Sequence, residues 1–314
     1  MNDVLPGAAV VVGIDGSKAA EHAATWAIDE AIARDVPLRL VCVTGARQPG
    51  VLYPNEIGLE LEYAESVLRQ ASAAVHATGK NVKVDVEIAS GAPVDVLLAE
   101  SLTAEMVCVG SSGIGAVSSR LVGSTATTLA DEASCPVAII RHHDSAPGPE
   151  DRWIGVAVKA GAIDEDIALA AMQEARLRDV PVLAIGLWQE DFGYIPYDEV
   201  DRMMESWRQR FPDVRVYPVT TRSGLTTFLN DDDEPVGLVV IGPDEAGHVA
   251  QLVGPHSHPI LGHPECSVIV VRTANVLSTS HPTHHTSSPK PLDRSSPETH
   301  WSTGDPISHQ IVAS

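Results

Sequence analysis

Residues 107–125 read VCVGSSGIGAVSSRLVGST, and the chemistry such a stretch supports is the holding of an anion. An apolar run ends at Gly110, Gly113 and Gly123 follow, and the hydroxyl residues Ser124 and Thr125 come directly after the last glycine. Glycine lets backbone N–H groups approach a ligand closely, because no Cβ intervenes and positive φ is accessible. With Ser124 and Thr125 opening a helix, the first amides of that helix lack partners within it and favour phosphate. The alternative is a plain connector between a strand and a helix. No GxxxxGK[ST] occurs and the glycine spacing is not that of GxGxxG, so neither the P-loop nor the dinucleotide fingerprint applies. Asp15, in IDGS, follows another apolar run. It reads either as an acceptor for ribose or base, or as a turn or N-cap residue.

These residues need a frame that sets position 15 beside position 110, and hydropathy supplies one. Residues 8–14, 38–44, 82–88, 106–110 and 137–141 read as strands. Between them, Ala20, Ala23, Ala24, Ala27, Ile28 and Ala31 form one helical stripe and Leu61, Ala64, Leu68, Ala71 and Val75 a second. Pro93 opens a third helix, as proline suits a first turn, and Ser124 opens a fourth. The order βαβαβαβαβ implies an α/β fold with a doubly wound, Rossmann-like parallel sheet. Such sheets bind ligands at the carboxyl ends of their strands, where strand order reverses. With five strands in the order 3-2-1-4-5, Asp15 and Gly110 face one crevice.

The pattern then recurs. Asp35-Val36-Pro37 returns as Asp179-Val180-Pro181, GLVVIG at 237–242 matches the fourth strand, and ECSVIVVR at 265–272 matches ASCPVAIIR at 133–141. Two tandem copies of one fold are expected: residues 1–141, a polar linker at 142–152, a second domain at 153–273, and a disordered Ser/Thr/His/Pro-rich tail at 274–314. The second copy has lost the anion chemistry. Lys159 stands in the place of Asp15, Pro243, Asp244 and Glu245 replace Ser111, Ser112 and Gly113, and Pro255 follows Gly254 where Ser124 is due. Carboxylates repel phosphate, and proline offers neither hydroxyl nor N–H.

Composition excludes several functions. Twenty-one Lys and Arg against 42 Asp and Glu give a net charge of −21, which repels nucleic acid and anionic membranes. No apolar run is long enough to cross a membrane and the start lacks the basic flank of a signal peptide, so a cytoplasmic protein is expected. Cys42, Cys108, Cys135 and Cys266 show no metal spacing and are expected as reduced thiols. The acidic run at 231–234 lacks the spacing of a calcium loop, and the pairs His142-His143 and His284-His285 are not at helical ligand spacing. Trp26 and Trp207 fall in helices and read as packing residues. Neither a general base nor a nucleophile constellation is present, so no enzyme is expected beyond weak ATP hydrolysis.

In VVVGIDGS and in G-x2-G-x9-G-S, formed by Gly110, Gly113, Gly123 and Ser124, the chain resembles the universal stress proteins in their tandem actinobacterial form. The resemblance covers residues 8–141 and, more weakly, 153–272. It implies ATP binding, with Asp15 and the Val43 backbone at the nucleoside and Gly110, Gly113, Gly123, Ser124 and Thr125 at the phosphates. Mg2+ would enter only with those phosphates. Family members often carry a basic residue inside the first glycine pair, where this chain has only Ser111 and Ser112, which leaves ADP and AMP open as ligands. Arg120 is either a substitute cation or a solvated side chain. The resemblance further implies an intramolecular pseudo-dimer through the last strands of the two copies, a homodimer, and a stress or dormancy regulator with protein partners of unknown identity. A slow ATPase or autokinase and a nucleotide-free scaffold are the other readings.

Overall fold

A computed structural model describes residues 8–45, 54–113, 122–141, 153–158, 164–187, 196–222, 224–231, 236–253 and 266–272, all within one compact unit, Met1–Ala274. Lys159, Pro255, Arg120, both histidine pairs, residues 232–234 and the 274–314 tail lie outside the described residues.

The first half runs β1 (Val10–Gly13), α1 (Lys18–Ala33), β2 (Leu38–Thr44), α2 (Pro54–Ala77), β3 (Val84–Ser90), α3 (Pro93–Glu100), β4 (Met106–Gly110), α4 (Ser124–Glu132) and β5 (Val137–Ile140). The second runs β6 (Trp153–Val158), α5 (Glu165–Arg178), β7 (Val182–Leu187), α6 (Tyr197–Arg210), β8 (Val216–Thr221), α7 (Leu225–Asp231) and β9 (Val236–Ile241). A 3-10 helix (Pro243–His248), α8 (Val249–Val253) and β10 (Ser267–Val270) complete it.

All ten strands form one sheet in the order β3-β2-β1-β4-β5-β10-β9-β6-β7-β8. Each half thus has the 3-2-1-4-5 order, and the second is turned about so that the last strands meet. Every neighbouring pair is parallel except this one: β10 lies antiparallel to β5, with Val268 opposite Ile139 and Val270 opposite Val137. Two open edges that would otherwise invite foreign strands satisfy each other, which is the pseudo-dimer within one chain.

Central parallel strands are covered on both faces, and Val10, Val11 and Val12 are accordingly buried with no residual exposure. One face is covered by α1, α2, α5 and α6, the other by α3, α4, α7, the 3-10 helix and α8. The alanine stripe of α1 is the buried one, and its small side chains let the helix lie close on the sheet. Ser17 caps α1 by accepting from the Ala20 amide, and Asp164 caps α5 by accepting from those of Asp166 and Ile167.

The repeated Asp-Val-Pro is a helix stop. Asp35 and Asp179 adopt left-handed backbone, with φ of 55° and 54°. The Val36 and Val180 amides donate back to the Ala31 and Ala175 carbonyls, closing a Schellman turn in each copy. Proline then leads into the next strand, its carbonyl accepting from Val10 in one half and Ile154 in the other.

Differences from the sequence expectation lie at ends and edges. α2 begins at Pro54, inside a stretch that reads as loop, and β3 is shifted two residues on, to Val84–Ser90. Between β7 and β9 no motif of the first half recurs, yet the structure there holds α6, β8 and α7. β8 contains Pro218, which cannot donate to a ladder; an edge strand has a side that needs no donor.

Candidate functional site

At the carboxyl ends of β1 and β4, where strand order reverses, the chain surrounds a cavity of about 430 Å3. Asp15, Val43, Gly110, Gly113, Gly123, Ser124 and Thr125 all border it. Residues nearly a hundred positions apart meet because β1 lies between β2 and β4.

Asp15 is a turn residue that also borders the cavity. Its Oδ1 accepts from the Ser17 amide at 2.9 Å, which shapes the turn into α1. Its Oδ2 faces Gly113, where a Cβ would come within 2.6 Å of it. The turn is held further by the Tyr63 hydroxyl of α2, which donates to the Asp15 carbonyl at 3.0 Å. Gly16 follows at φ 89°, and a Cβ there would collide with that same hydroxyl.

The three glycines differ in what they do. A Cβ on Gly110 would lie 2.6 Å from the Ala19 carbonyl carbon and 2.7 Å from the Ala20 nitrogen, so this glycine is needed for α1 to rest on the end of β4. Gly113 makes room for Asp15. Gly123 is the N-cap of α4, and its amide donates to the Ser111 carbonyl at 2.9 Å, which pins the far end of the loop to β4. Among the described residues no side chain caps α4, and its opening residues, Ser124 and Thr125, border the cavity with the positive end of the helix dipole.

Val43 enters through its backbone. Ile14 donates to the Val41 carbonyl at 2.8 Å, and β1 ends at Gly13. Two residues further along β2, Val43 presents its backbone groups to the same side, where no strand remains to take them.

An apolar wall that sequence reasoning does not find completes the site: Val41, Pro93, Leu97 and Val109. α3 contributes two of them because the crossover from β3 to β4 carries it over the face on which the cavity opens. No local motif announces this; the one signal is the position of α3 in the winding order. Among the described lining residues Asp15 is the only charged one and there is no cation. Burial first, and the Asp15 charge second, push the nearby Cys42 thiol up. All four cysteines are free and buried. The arrangement can hold a flat apolar group with a polar edge at one end and an anion at the other.

The corresponding strand end of the second half is built differently among the described residues. After Gly242 the chain turns at once into the 3-10 helix, and the Glu245 carboxylate accepts from the Gly242 amide at 3.1 Å. A Cβ on Gly242 would meet Ile167 Cδ1 at 2.7 Å, where the first half has the bare backbone of α1. A carboxylate and an isoleucine thus occupy the end of β9.

The sequence profile of the Universal stress protein family matches residues 8–141. A universal stress protein of Mycobacterium tuberculosis strain H37Rv is 48% identical over 263 residues, 84% of this chain and 96% of that relative. Another from the same strain is 40% identical over 266 residues, covering 83% and 95%. The crystal structure of a universal stress protein from Archaeoglobus fulgidus superposes with a TM-score of 0.63 over 85% of this chain and 97% of that one; at 15% identity the likeness is one of fold. Identity near one half, sustained across both repeats, places this chain in the universal stress protein family.

Proposed function

We propose that the first half binds one adenine nucleotide and that the protein acts as a nucleotide-dependent stress or dormancy regulator rather than an enzyme. The observation that carries the reading is the convergence of Asp15, the Val43 backbone, the three glycines and the start of α4 on one cavity. The apolar wall suits the base, the Asp15 carboxylate suits hydroxyls of the ribose or an amino edge, and the Ser124 and Thr125 amides and hydroxyls suit phosphate. With no cation among the described lining residues, phosphate charge is met by the helix dipole and by Mg2+ that travels with the nucleotide.

A regulatory rather than catalytic role is supported by where α4 leads. Its flank packs against the 3-10 helix of the second half, and the Arg272 guanidinium, beyond β10, bonds to the Ala130 carbonyl of α4. A ligand that grips the start of α4 therefore acts on a helix that the second half also holds, and a differential grip on two packings shifts their populations. The test is the nucleotide content of the purified chain, released by denaturation and separated against ATP, ADP and AMP. About one adenine nucleotide per chain is expected for a single site of this kind. A chain that carries none and takes up none of the three would overturn the reading in favour of a scaffold.

A further inference from the structure

α1 and α5 lie on the same face of the sheet, on either side of the β5–β10 seam, and carry the same pair where they end: Glu30 with Arg34, the C-cap of α1, and Glu174 with Arg178. The offset between them is that of the two Asp-Val-Pro stops, so one feature is present twice. When a duplicated chain folds about a pseudo-two-fold axis, a residue near the axis meets its own counterpart. Here carboxyl is set against carboxyl. The Arg178 guanidinium touches both, Nη2 bonding to Glu30 Oε1 and lying 3.0 Å from Glu174 Oε2. The Glu30 side chain is 0% exposed and that of Glu174 5%.

The two carboxyls are compensated unequally. Glu30 takes both guanidinium groups, with Arg34 Nη1 2.5 Å from its Oε2. Among the described residues Glu174 pairs with the shared Arg178 alone, whose Nε–H donates to it at 3.1 Å and whose charge is also spread over the Trp26 ring, 4.1 Å away. Burial first, and the Glu30 charge second, push Glu174 up to about 8, against the lowering pull of Arg178 and Arg34. From the sheet beneath, the group in this field is Cys108 of β4, which burial holds as a neutral thiol.

We propose that the seam between the two halves is a proton-dependent joint: Glu174 keeps a proton at neutral pH and donates it to Glu30, and loss of that proton loosens α5 from α1. The direction follows from linkage. An acid bound more tightly to its proton in the folded state contributes stability that is complete below its unfolded value near 4.5, declines as pH rises toward 8, and is gone above. Duplication gave this joint its symmetry, and the Arg34–Glu30 pair, added to the shared Arg178, breaks it.

The experiment compares the full chain with Glu174→Gln, whose amide keeps a donor for Glu30 and an acceptor for Arg178 but has no proton to lose. Between pH 4.5 and 8 the folding constant of the unmutated chain should fall relative to the variant, by up to about tenfold per pH unit. Parallel pH profiles would overturn the proposal. Infrared spectroscopy of the unmutated chain needs no variant: a protonated-carboxyl stretch should be present near neutral pH and vanish around 8. Its absence near neutral pH would equally overturn the assignment. Amide exchange in β10, corrected for its intrinsic pH dependence, should quicken as that band disappears. A proton lost with no change in exchange would show that the pair titrates without acting as a joint.

Discussion

The two halves share sheet order, the Asp-Val-Pro helix stop and buried faces, and differ at the carboxyl end of the strand that leads to the glycine loop. In the first half β4 ends in glycines and an open cavity with the amides of α4 before it. In the second, β9 ends in a proline-led 3-10 turn whose own carboxylate binds the glycine amide. Glu245 thus sets a carboxylate at the end of β9, where the matching end of β4 borders an open cavity. The same sheet order therefore carries two different loop ends, one bordering a cavity and one bonded to its own carboxylate.

The comparison can be broken most sharply at Gly113. Gly113→Glu brings a second carboxylate against Asp15 and the phosphates, and ATP affinity should drop by about 100-fold or more, about 3 kcal/mol, by calorimetric titration. Undiminished binding would show that the halves do not differ in the way described. Next comes the pair Gly110→Ala and Gly242→Ala. The first forces a Cβ onto the backbone of α1 and should cost about 2–3 kcal/mol in denaturant unfolding, whereas the second meets the movable end of Ile167 and should cost about 1 kcal/mol. Equal losses would mean that α1 and α5 sit equally close to their strands. Removing the internal anion by Glu245→Ala should lower stability by about 1 kcal/mol, the worth of a cap, without creating a second nucleotide site. A second equivalent of bound ATP in that variant would show that Glu245 alone closes the crevice. Where the halves agree, the effects should agree: Asp35→Ala and Asp179→Ala each place alanine in left-handed backbone, at about 1 kcal/mol apiece.

Much of this was legible because it depends on local chemistry. Val10, Val11 and Val12 form a strand and Ala20, Ala23, Ala24 and Ala27 a helix face by spacing alone. The recurrence of Asp-Val-Pro marks the duplication because a Schellman stop is a local structure, closed within six residues. Gly110, Gly113, Gly123 and Ser124 stand out because glycine is selected by backbone approach, a constraint that acts position by position. α6 was legible only at Trp207, because it buries just Val200, Met204 and Trp207 among charges, and β8 was not legible, because it carries Pro218, tolerated since the strand ends up at an edge.

What the amino-acid sequence determined by itself was the α/β alternation, the repeat, and the residue types able to face an anion, since each follows from periodicity or from the backbone freedom of single residues. What only the tertiary structure decided was which distant residues meet. The apolar wall from α3, the Tyr63 hydroxyl on the Asp15 carbonyl, the Glu245 carboxylate on Gly242 and the buried meeting of Glu30 with Glu174 are contacts across strands or across the pseudo-axis. Their partners are chosen by how the sheet is wound and joined at β5 and β10, and no short-range pattern in the chain encodes a distance between residues that far apart.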